Sequence, residues 1–586
     1  MFGLEHLKNK NLIFCLLVFL VSPQTMWAGL SCDEHLKIYD EKLGPFFVSL
    51  RDQQQSIGNS QHLRAPDRQT QSDLELNVLV EKLLPETSTV DNADGGYRTF
   101  EWTKLLLKSW LVNPVDDEMT LKNRQVSFQQ LQNMGENRKL LKDELLKINQ
   151  WMPRYRQNFK TLEFPALAPL MLPANISITL LNAYMLTYLA PGSTVSQKLY
   201  NSVVMYMFSM YLGVLGGAYD SMRGREQLIQ WLSYSMASMK SILKLIPENS
   251  EGRLKDIRSA ISDFLGKFPP EFFPEYENVK RYDSKSPMKR NWRSGVQVIS
   301  GVSYFLNKNR IKVMKERLSD FATLFPYLVE LDLYTRVADH MDSSWSMPNV
   351  DYNAADTFLN IHNGHHPILK ITHSDKSISN SLKLSRGKGS YSGVLLTGPN
   401  FRGKSVFLKM LGTLSLMAQA GLPVPAQTIS LSPQKVITNF RAIDSTEDAE
   451  SLFFAQAKRI AHIQRSMKAE EPALYLFDEI LTGTSPEEHA VLERLELHDL
   501  ALNRAMFVFA SHQRDLAKLA DSHLGVLANK HMSDSDDPER KYRLEEGPSI
   551  LRNALQVMKD AGVDISYLDR AAAELEMLYT DLEFRR

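Results

Sequence analysis

This chain of 586 residues contains few cysteines and has no formal net charge at pH 7. Cys15 and Cys32 are the only cysteines, which excludes a disulfide framework and leaves the compartment undecided. The 68 basic residues equal the 68 acidic ones in number, so no global field draws the whole surface toward nucleic acid. Hydrophobic residues make up 43% of the chain, enough for more than one core and a soft expectation of two to four domains.

The first 31 residues have the pattern of an export signal. Lys8 and Lys10 precede the apolar run 12–21, and the small residues Ala28, Gly29 and Ser31 follow it. This ten-residue run is shorter than the roughly 20 residues that span a bilayer, so a cleaved leader is favoured over a permanent anchor. A lipid anchor at Cys32 is a lesser alternative, because the usual leucine three places before the cysteine is missing.

A glycine-rich segment after an apolar run, Gly398–Ser405, reads GPNFRGKS. It fits the phosphate-binding pattern G-x-x-x-x-G-K-[ST], in which glycines let the backbone N–H groups and the next helix N-terminus point at phosphates. Lys404 is expected to reach the β- and γ-phosphates, and the Ser405 hydroxyl to ligate Mg²⁺. The alternative is a strand-to-helix turn that binds nothing.

A second apolar run, Ala473–Phe477, leads directly into Asp478 and Glu479. This is the pattern of a Walker B strand, which delivers two carboxylates to the ligand-binding edge of a parallel sheet. Asp478 is expected to hold Mg²⁺, and Glu479 to orient or deprotonate the attacking water. The two acids could instead cap the helix that follows.

A third apolar run, Met506–Ala510, ends in Ser511 and His512. A histidine just beyond a core strand could contact the γ-phosphate. Alone, His512 is more typical of a surface loop, so its assignment depends on the order of all three motifs.

Together these motifs resemble the ATPase domain of the MutS DNA mismatch-repair family. The resemblance rests on GPNFRGKS, LYLFDEILTGTSPEEHA and FVFASHQRDL in this order, and extends to Leu107–Pro114 with Arg124 and Gln125, which resembles the start of the family's helical core. It implies ATP and Mg²⁺ as cofactors. The site residues it implies are Gly398, Pro399, Asn400, Gly403, Lys404, Ser405 and Val406 for the nucleotide, Ser405 and Asp478 for Mg²⁺, and Glu479, Lys404 and His512 for catalysis.

The same resemblance implies a homodimer, in which Ser451 completes the neighbouring subunit's site. Some positions depart from the family pattern, among them Gln456 in place of glutamate and Leu481-Thr482 in place of Gly-Arg. None of these changes removes a group needed for Mg-ATP binding, so binding is expected more firmly than fast turnover. The module with which the family stacks a phenylalanine on a mispair has no room before the core-like segment, and mispair reading by that device is not expected.

The region before the ATPase motifs contains two ambiguous stretches. Lys280–Arg317 holds eleven basic residues against two acidic ones, with aromatic residues between them. It could bind the phosphates of DNA or an anionic membrane, or be a solvated helix face. Residues 174–219 are nearly uncharged, which is typical of buried core helices or of a membrane hairpin.

Helices are predicted at 136–151, 224–246 and 254–268, a break at 247–252 and a loose surface segment at 53–72.

The fold class predicted from these patterns is multidomain α and α/β, a helical core and lever domain followed by a P-loop α/β ATPase domain. The predicted boundaries are a leader at 1–31, a helical or loose segment at 32–95, the core and lever at 96–350, and the ATPase with a C-terminal helical dimerisation segment at 351–586. The function expected is an ATP-dependent DNA-binding protein without the mispair-reading module. The alternatives are a membrane-associated or exported nucleotide switch that binds protein or lipid, and a scaffold that binds ATP without hydrolysis. Localisation stays open, since the leader indicates export while an ATPase needs a compartment with ATP.

Overall fold

The computed structural model describes residues 64–85, 101–149, 235–268, 320–440 except 322, 400 and 401, and 452–584 except 482, 514, 523–524, 534, 536, 538–539, 550–554, 556–557 and 560. Several predicted features lie outside these residues: the leader, the candidate membrane helices 174–219, the basic stretch Lys280–Arg317, Asn400 and Ser451. Within the described ranges, no helix is both long and apolar enough to cross a membrane.

Among the described residues, those before residue 345 are mostly helical, and helices alternate with strands after it. They are α1 (Arg68–Asp73), α2 (Leu76–Leu83), α3 (Glu101–Val112), α4 (Glu118–Asn133), α5 (Glu136–Asn149), α6 (235–245), α7 (Gly252–Gly266), α8 (323–338), α9 (Pro367–Thr372), α10 (Lys404–Gln419), α11 (Leu452–Lys468), α12 (Pro486–Leu502), α13 (Asp515–Ser522) and α14 (Ile565–Phe584). The helices predicted at 136–151 and 254–268 are confirmed as α5 and α7, and the predicted break separates α6 from α7.

The strands of the described residues build two sheets. They are β1 (Asn349–Val350), β2 (Phe358–Gly364), β3 (Asn380–Ser385), β4 (Gly393–Thr397), β5 (Ala426–Leu431), β6 (Lys435–Phe440), β7 (Ala473–Asp478), β8 (Met506–Ala510), β9 (Leu527–Met532) and β10 (Leu544–Glu546). One sheet has the order β1-β5-β2-β3, and the other β10-β9-β4-β8-β7-β6. The described residues therefore have a mixed α/β architecture, as predicted, although the smaller sheet was not foreseen.

The six-stranded sheet forms the centre of the α/β region. Its strands β9, β4, β8, β7 and β6 are all parallel, and only β10 pairs antiparallel. Every residue of β4, β7 and β8 is buried, which explains their unbroken apolar sequences, since helices cover both faces of a parallel sheet. The smaller sheet has a different pattern, because β3 alternates buried and more exposed residues and so has one covered face.

A cluster of polar side chains covers the outer edge of β6. This edge cluster consists of Asp67, Thr70, Asp73, Thr438 and Arg459. Asp67 caps α1 by accepting from Thr70 N, and Asp73 accepts from Thr438 Oγ1 and Phe440 N. The Thr438 N–H donates to Thr70 Oγ1 at 3.2 Å. Two outward N–H groups of an edge strand thus bond to side chains rather than to another strand, which protects an edge that would otherwise recruit one.

Arg459, on α11, joins both sides of this cluster. Its guanidinium contacts Asp67 at 2.6 and 3.2 Å and Thr70 Oγ1 at 3.0 Å, and its Nε donates to Thr438 O at 2.7 Å. Burial would raise the pKa of Asp67, but the nearby His462 and the charge of Arg459 outweigh it and hold that pKa well below its usual range. The segment predicted to be loose at 53–72 is thus helical and bonded from residue 67 onward, and that part of the prediction is wrong; residues 53–63 lie outside the described ranges.

The described residues fall into two compact units. One consists of 143–149, 235–247, 257–268 and 320–328, and the other of 64–85, 101–142, 248–256 and 329–584. In the first, an aromatic group forms around Phe264, which contacts Phe268 and Phe321 edge-on. In the second, Arg253 makes two bonds to Glu330, and Arg124 lies over the Trp110 ring while donating to Ala420 O just beyond α10.

Candidate active site

Three motif-bearing strands end side by side in the six-stranded sheet. The register pairs Leu396 of β4 with Ala510 of β8, and Ala510 with Asp478 of β7. The segments that follow these strands therefore emerge at one edge, the carboxyl edge at which parallel α/β sheets bind ligands. The three sequence motifs form one site in space.

The phosphate-binding segment leaves β4 and enters α10 through two unusual backbone conformations. Gly398 has φ 138° and Gly403 has φ 89°, values that favour glycine. Gly403 directly precedes the first residue of α10, so the free N–H groups of that helix lie where the motif needs them. At Gly403 an added Cβ would lie 3.3 Å from the ring of Tyr542, so the neighbouring loop also restricts this position.

Lys404 is nearly buried at the start of α10. Its Nζ donates to Gly398 O at 2.6 Å and Pro399 O at 3.2 Å, and lies 3.7 Å from Glu479 Oε1. Burial lowers its pKa, an effect that the carboxylates of Glu479 and Asp478 oppose. The ammonium is therefore held inside the loop by carbonyl oxygens, which an incoming phosphate could replace as its partner.

Glu479 and His512 meet across the ends of β7 and β8. The Nε2 atom of His512 lies 2.5 Å from Glu479 Oε1, and both ring nitrogens lie 3.4 Å from Lys404 Nζ. The side chains of Glu479 and His512 retain 19% and 37% of their exposure, so solvent reaches the pair. A carboxylate, an imidazole and an ammonium thus converge on one accessible point.

Asp478 and Ser405 offer two adjacent oxygen ligands. The Ser405 hydroxyl bonds to the Asp478 carboxylate, while Asp478 Oδ1 is buried and has no hydrogen-bond partner among the described residues. Burial raises the pKa of Asp478, and the hydrogen bond from Ser405 and the charge of Lys404 oppose this rise only in part. A hydroxyl beside an unsatisfied carboxylate oxygen fits Mg²⁺, which takes one or two protein oxygens together with phosphates and water.

The loops after β9 and β10 contribute a wall that the sequence motifs did not indicate. Arg402 donates to Ser535 O at 3.1 Å, and Asn380 brackets Tyr542 by donating to its carbonyl and accepting from Leu544 N. Ser549 N donates to Thr397 Oγ1 at the end of β4. These contacts join segments more than 100 residues apart, so no local pattern could have revealed them.

The remaining predicted site residues are not all placed. Val406 follows Ser405 in α10 and is 42% exposed. Asn400 and Ser451 lie outside the described residues, so their assignments stay predictions. The structure brings together Gly398, Pro399, Gly403, Lys404, Ser405, Asp478, Glu479 and His512.

Comparison with known proteins gives two kinds of match. The family model of MutS domain V matches residues 394–579, a range that contains Lys404, Asp478, Glu479 and His512. An endonuclease MutS2 of Enterococcus faecalis is 25% identical over 419 residues, 65% of this chain and 52% of that protein. An endonuclease MutS2 of Bacillus velezensis is 29% identical over 230 residues, 39% of this chain and 28% of that protein. The chain thus spans about half the length of the first relative and less of the second.

Proposed function

The chain belongs to the MutS family, and from that premise we propose that it is a Mg²⁺-dependent ATPase whose nucleotide state alters a helical DNA-binding region. The ATPase assignment rests on the convergence of Lys404, Glu479 and His512 beside the Ser405–Asp478 pair. A phosphate-binding loop alone would support nucleotide binding only. A carboxylate next to it supports hydrolysis.

Each group has a chemical role in this proposal. Lys404 and the N-terminus of α10 would bind the β- and γ-phosphates, and Ser405 with Asp478 would hold Mg²⁺, which neutralises phosphate charge. Glu479 would orient or deprotonate the attacking water, with His512 beside it at the γ-phosphate. Glu479 Oε1 contacts His512 Nε2, so this carboxylate would have to turn toward the attacking water to act on it.

DNA is the partner that the family membership favours. We expect the backbone or the structure of DNA to be bound, because phosphate contacts position a protein on DNA without reading its bases. The basic stretch Lys280–Arg317 is the proposed contact, and two ATPase domains would pair in a homodimer with Ser451 serving the partner's site.

The ATPase assignment is tested by Glu479→Gln. We expect turnover to fall by about 100-fold or more, because general-base catalysis supplies about that factor, while ATP affinity changes less than about threefold. Steady-state phosphate release and titration with a fluorescent nucleotide measure the two quantities. Glu487→Gln is the matched control, since that carboxylate is exposed on α12. Equal turnover in Glu479→Gln and the wild type would refute the assigned role, and absence of ATP binding by the wild type would refute the ATPase itself.

DNA binding is tested separately by adding duplex and branched DNA to the ATPase assay. Stimulation that weakens as salt rises is the expected result, because phosphate contacts release counterions. Neutralising Lys289, Arg290 and Arg293 together should reduce the stimulation without changing basal turnover. No response to any DNA form, with basal turnover intact, would contradict the DNA-binding part alone.

A further inference from the structure

Behind the active site, four polar side chains connect the helix α12 to the two loops that carry Glu479 and His512. We propose that His489, Glu493, Ser511 and Gln513 form a clamp that positions Glu479 and His512 for hydrolysis. The inference rests on the proposed ATPase function and adds positioning residues to it. None of the four is assigned a direct contact with nucleotide.

The clamp holds His512 from both of its chain neighbours. Glu493 Oε2 accepts a hydrogen bond from Ser511 Oγ at 2.8 Å, and the same hydroxyl accepts from Gln513 N at 3.0 Å. Ser511 N also donates to Leu396 O, next to the strand end that starts the phosphate-binding loop. The backbone on either side of His512 is therefore fixed to α12 and to β4.

The clamp holds Glu479 through the following residue. His489 Nε2 lies 2.8 Å from Ile480 O, and its Nδ1 lies 3.2 Å from Gln513 Nε2. These contacts define a tautomer, because the carbonyl can only accept and the amide nitrogen can only donate, so Nε2 carries the hydrogen and Nδ1 accepts. One imidazole thus bridges the loop after β7 and the loop after β8.

Backbone strain shows why Ile480 needs such a contact. Glu479 has φ 50° and Leu481 has φ 59°, so two residues with side chains adopt the left-handed conformation on either side of it. Such residues are uncommon and persist where surrounding contacts hold them. The bonds from Glu479 N to Ala510 O and from His489 to Ile480 O supply that restraint.

The placement of Glu493 also argues for a role other than stability. Its side chain is 1% exposed, and its only ion-pair contact within the described part of the chain is His489 Nε2, 3.6 Å away. Burial raises the pKa of this carboxyl to about 7. A buried carboxyl with so little compensation is less favourable than an apolar side chain of similar size, so packing alone does not account for it. The hydrogen bond that Glu493 accepts from Ser511 gives a reason for a carboxyl at this position.

The test compares turnover, nucleotide affinity and stability in variants of the full chain. His489→Ala removes both bridging bonds, whereas His489→Gln keeps a donor near the Nε2 position. Glu493→Leu removes the acceptor for Ser511 without leaving a buried charge. We expect His489→Ala and Glu493→Leu to lower kcat by about 10- to 100-fold with ATP affinity changed less than about threefold, and His489→Gln to recover part of the loss. Arg494→Gln, on the exposed side of α12, is the control and should match the wild type.

Hydrogen exchange supplies a readout that does not need catalysis. Peptides that contain Glu479 or Ser511–Gln513 should exchange faster in His489→Ala and Glu493→Leu, while peptides from β4 should not. Wild-type kcat in both variants, with exchange unchanged, would overturn the clamp. A fall in kcat accompanied by an equal loss of ATP affinity and of thermal stability would overturn it too, because that indicates general misfolding. If the wild type itself shows no turnover, the ATPase proposal fails. The hydrogen-exchange result alone then tests whether the clamp holds the two loops.

Discussion

Two clusters of buried and partly buried polar groups lie in the same α/β region, and the pKa values of their carboxylates are shifted in opposite directions. In the edge cluster, the carboxylate of Asp67 bonds to the Arg459 guanidinium through both oxygens, and its pKa is held low. In the clamp, Glu493 has no guanidinium partner among the described residues, and burial raises its pKa to about 7. The first carboxylate is charged at neutral pH, whereas the second is close to its titration midpoint.

The difference follows from what each cluster joins. The edge cluster connects α1 and α11 to an edge strand whose N–H groups need partners. Strong ionic hydrogen bonds suit this role because the contact is structural. The clamp joins two loops next to reacting groups, where the position of a hydroxyl and an imidazole matters more than the strength of the bond. We therefore expect the edge cluster to determine stability and the clamp to determine turnover.

Arg459→Met should give the largest effect on stability. The substitution leaves the Asp67 carboxylate with fewer partners and removes the bond to Thr438 O. The free energy of unfolding should therefore fall by about 3 kcal/mol. This value is at the low end for a buried ion pair because the Asp67 side chain is 30% exposed. Urea unfolding measures this change, and kcat at a temperature where the variant is folded should stay within about twofold of the wild type.

The double variant Asp67→Asn with Arg459→Met serves as its control. Because the unpaired charge is then gone, the double variant should lose less stability than the sum of the two single ones. A selective fall in kcat in Arg459→Met, with stability intact, would break the division between the two clusters.

Much of the active site could be predicted from sequence because each motif is local. The glycines and Lys404 lie in one short segment, and Asp478, Glu479 and His512 lie at or just beyond the ends of apolar strands. The rule that the carboxyl ends of parallel strands meet at one edge of the sheet was enough to bring them together. The elements confirmed by the structure, such as α5 and the buried strands β4, β7 and β8, likewise have strong local patterns.

The contacts that sequence reasoning missed are long-range. Thr70 and Thr438 are 368 residues apart, and nothing in a glutamine-rich segment indicates that it covers a sheet edge. Glu493 lies in a helix whose sequence is rich in charged residues, where one buried carboxyl resembles the exposed ones. The smaller sheet was missed for a related reason, since β2 pairs with β5 and the strands β3 and β4 and the helix α10 lie between them in the sequence.

The pH dependence of stability tests the clamp side of the comparison. The folded-state pKa of Glu493, about 7, lies above the ordinary glutamate value of 4.5, so the folded chain binds this proton more tightly than the unfolded chain. The contribution is fully present below pH 4.5 and is lost as pH rises through about 7. Glu493→Gln cannot ionise, so its stability relative to the wild type should improve by roughly 2 to 3 kcal/mol between pH 5 and pH 8.

Denaturant unfolding at the two pH values measures this difference. Glu487→Gln, an exposed carboxylate at the start of the same helix, should show no such change. The charged or titratable groups near Glu493 are His489 on its own helix and Glu479 across from it, and replacing Glu479 by Gln should reduce the pH effect slightly because the like charge is removed. A pH-independent Glu493→Gln difference would mean that the carboxyl is charged throughout, as Asp67 is.

Thr70→Val should give the smallest effect and isolates the backbone part of the edge cluster. The shape of the side chain is kept, but Thr438 N and the Arg459 guanidinium lose their bond to Thr70 Oγ1, so we expect a loss of about 1 to 2 kcal/mol. Thr70→Ser keeps the hydroxyl and should retain most of that stability. Hydrogen exchange at the Thr438 amide should rise in Thr70→Val and not in Thr70→Ser. An equal rise in both would show that packing of the methyl group, rather than the bond from the edge strand, excludes water there, and the edge cluster would then depend on Arg459 and its charge alone.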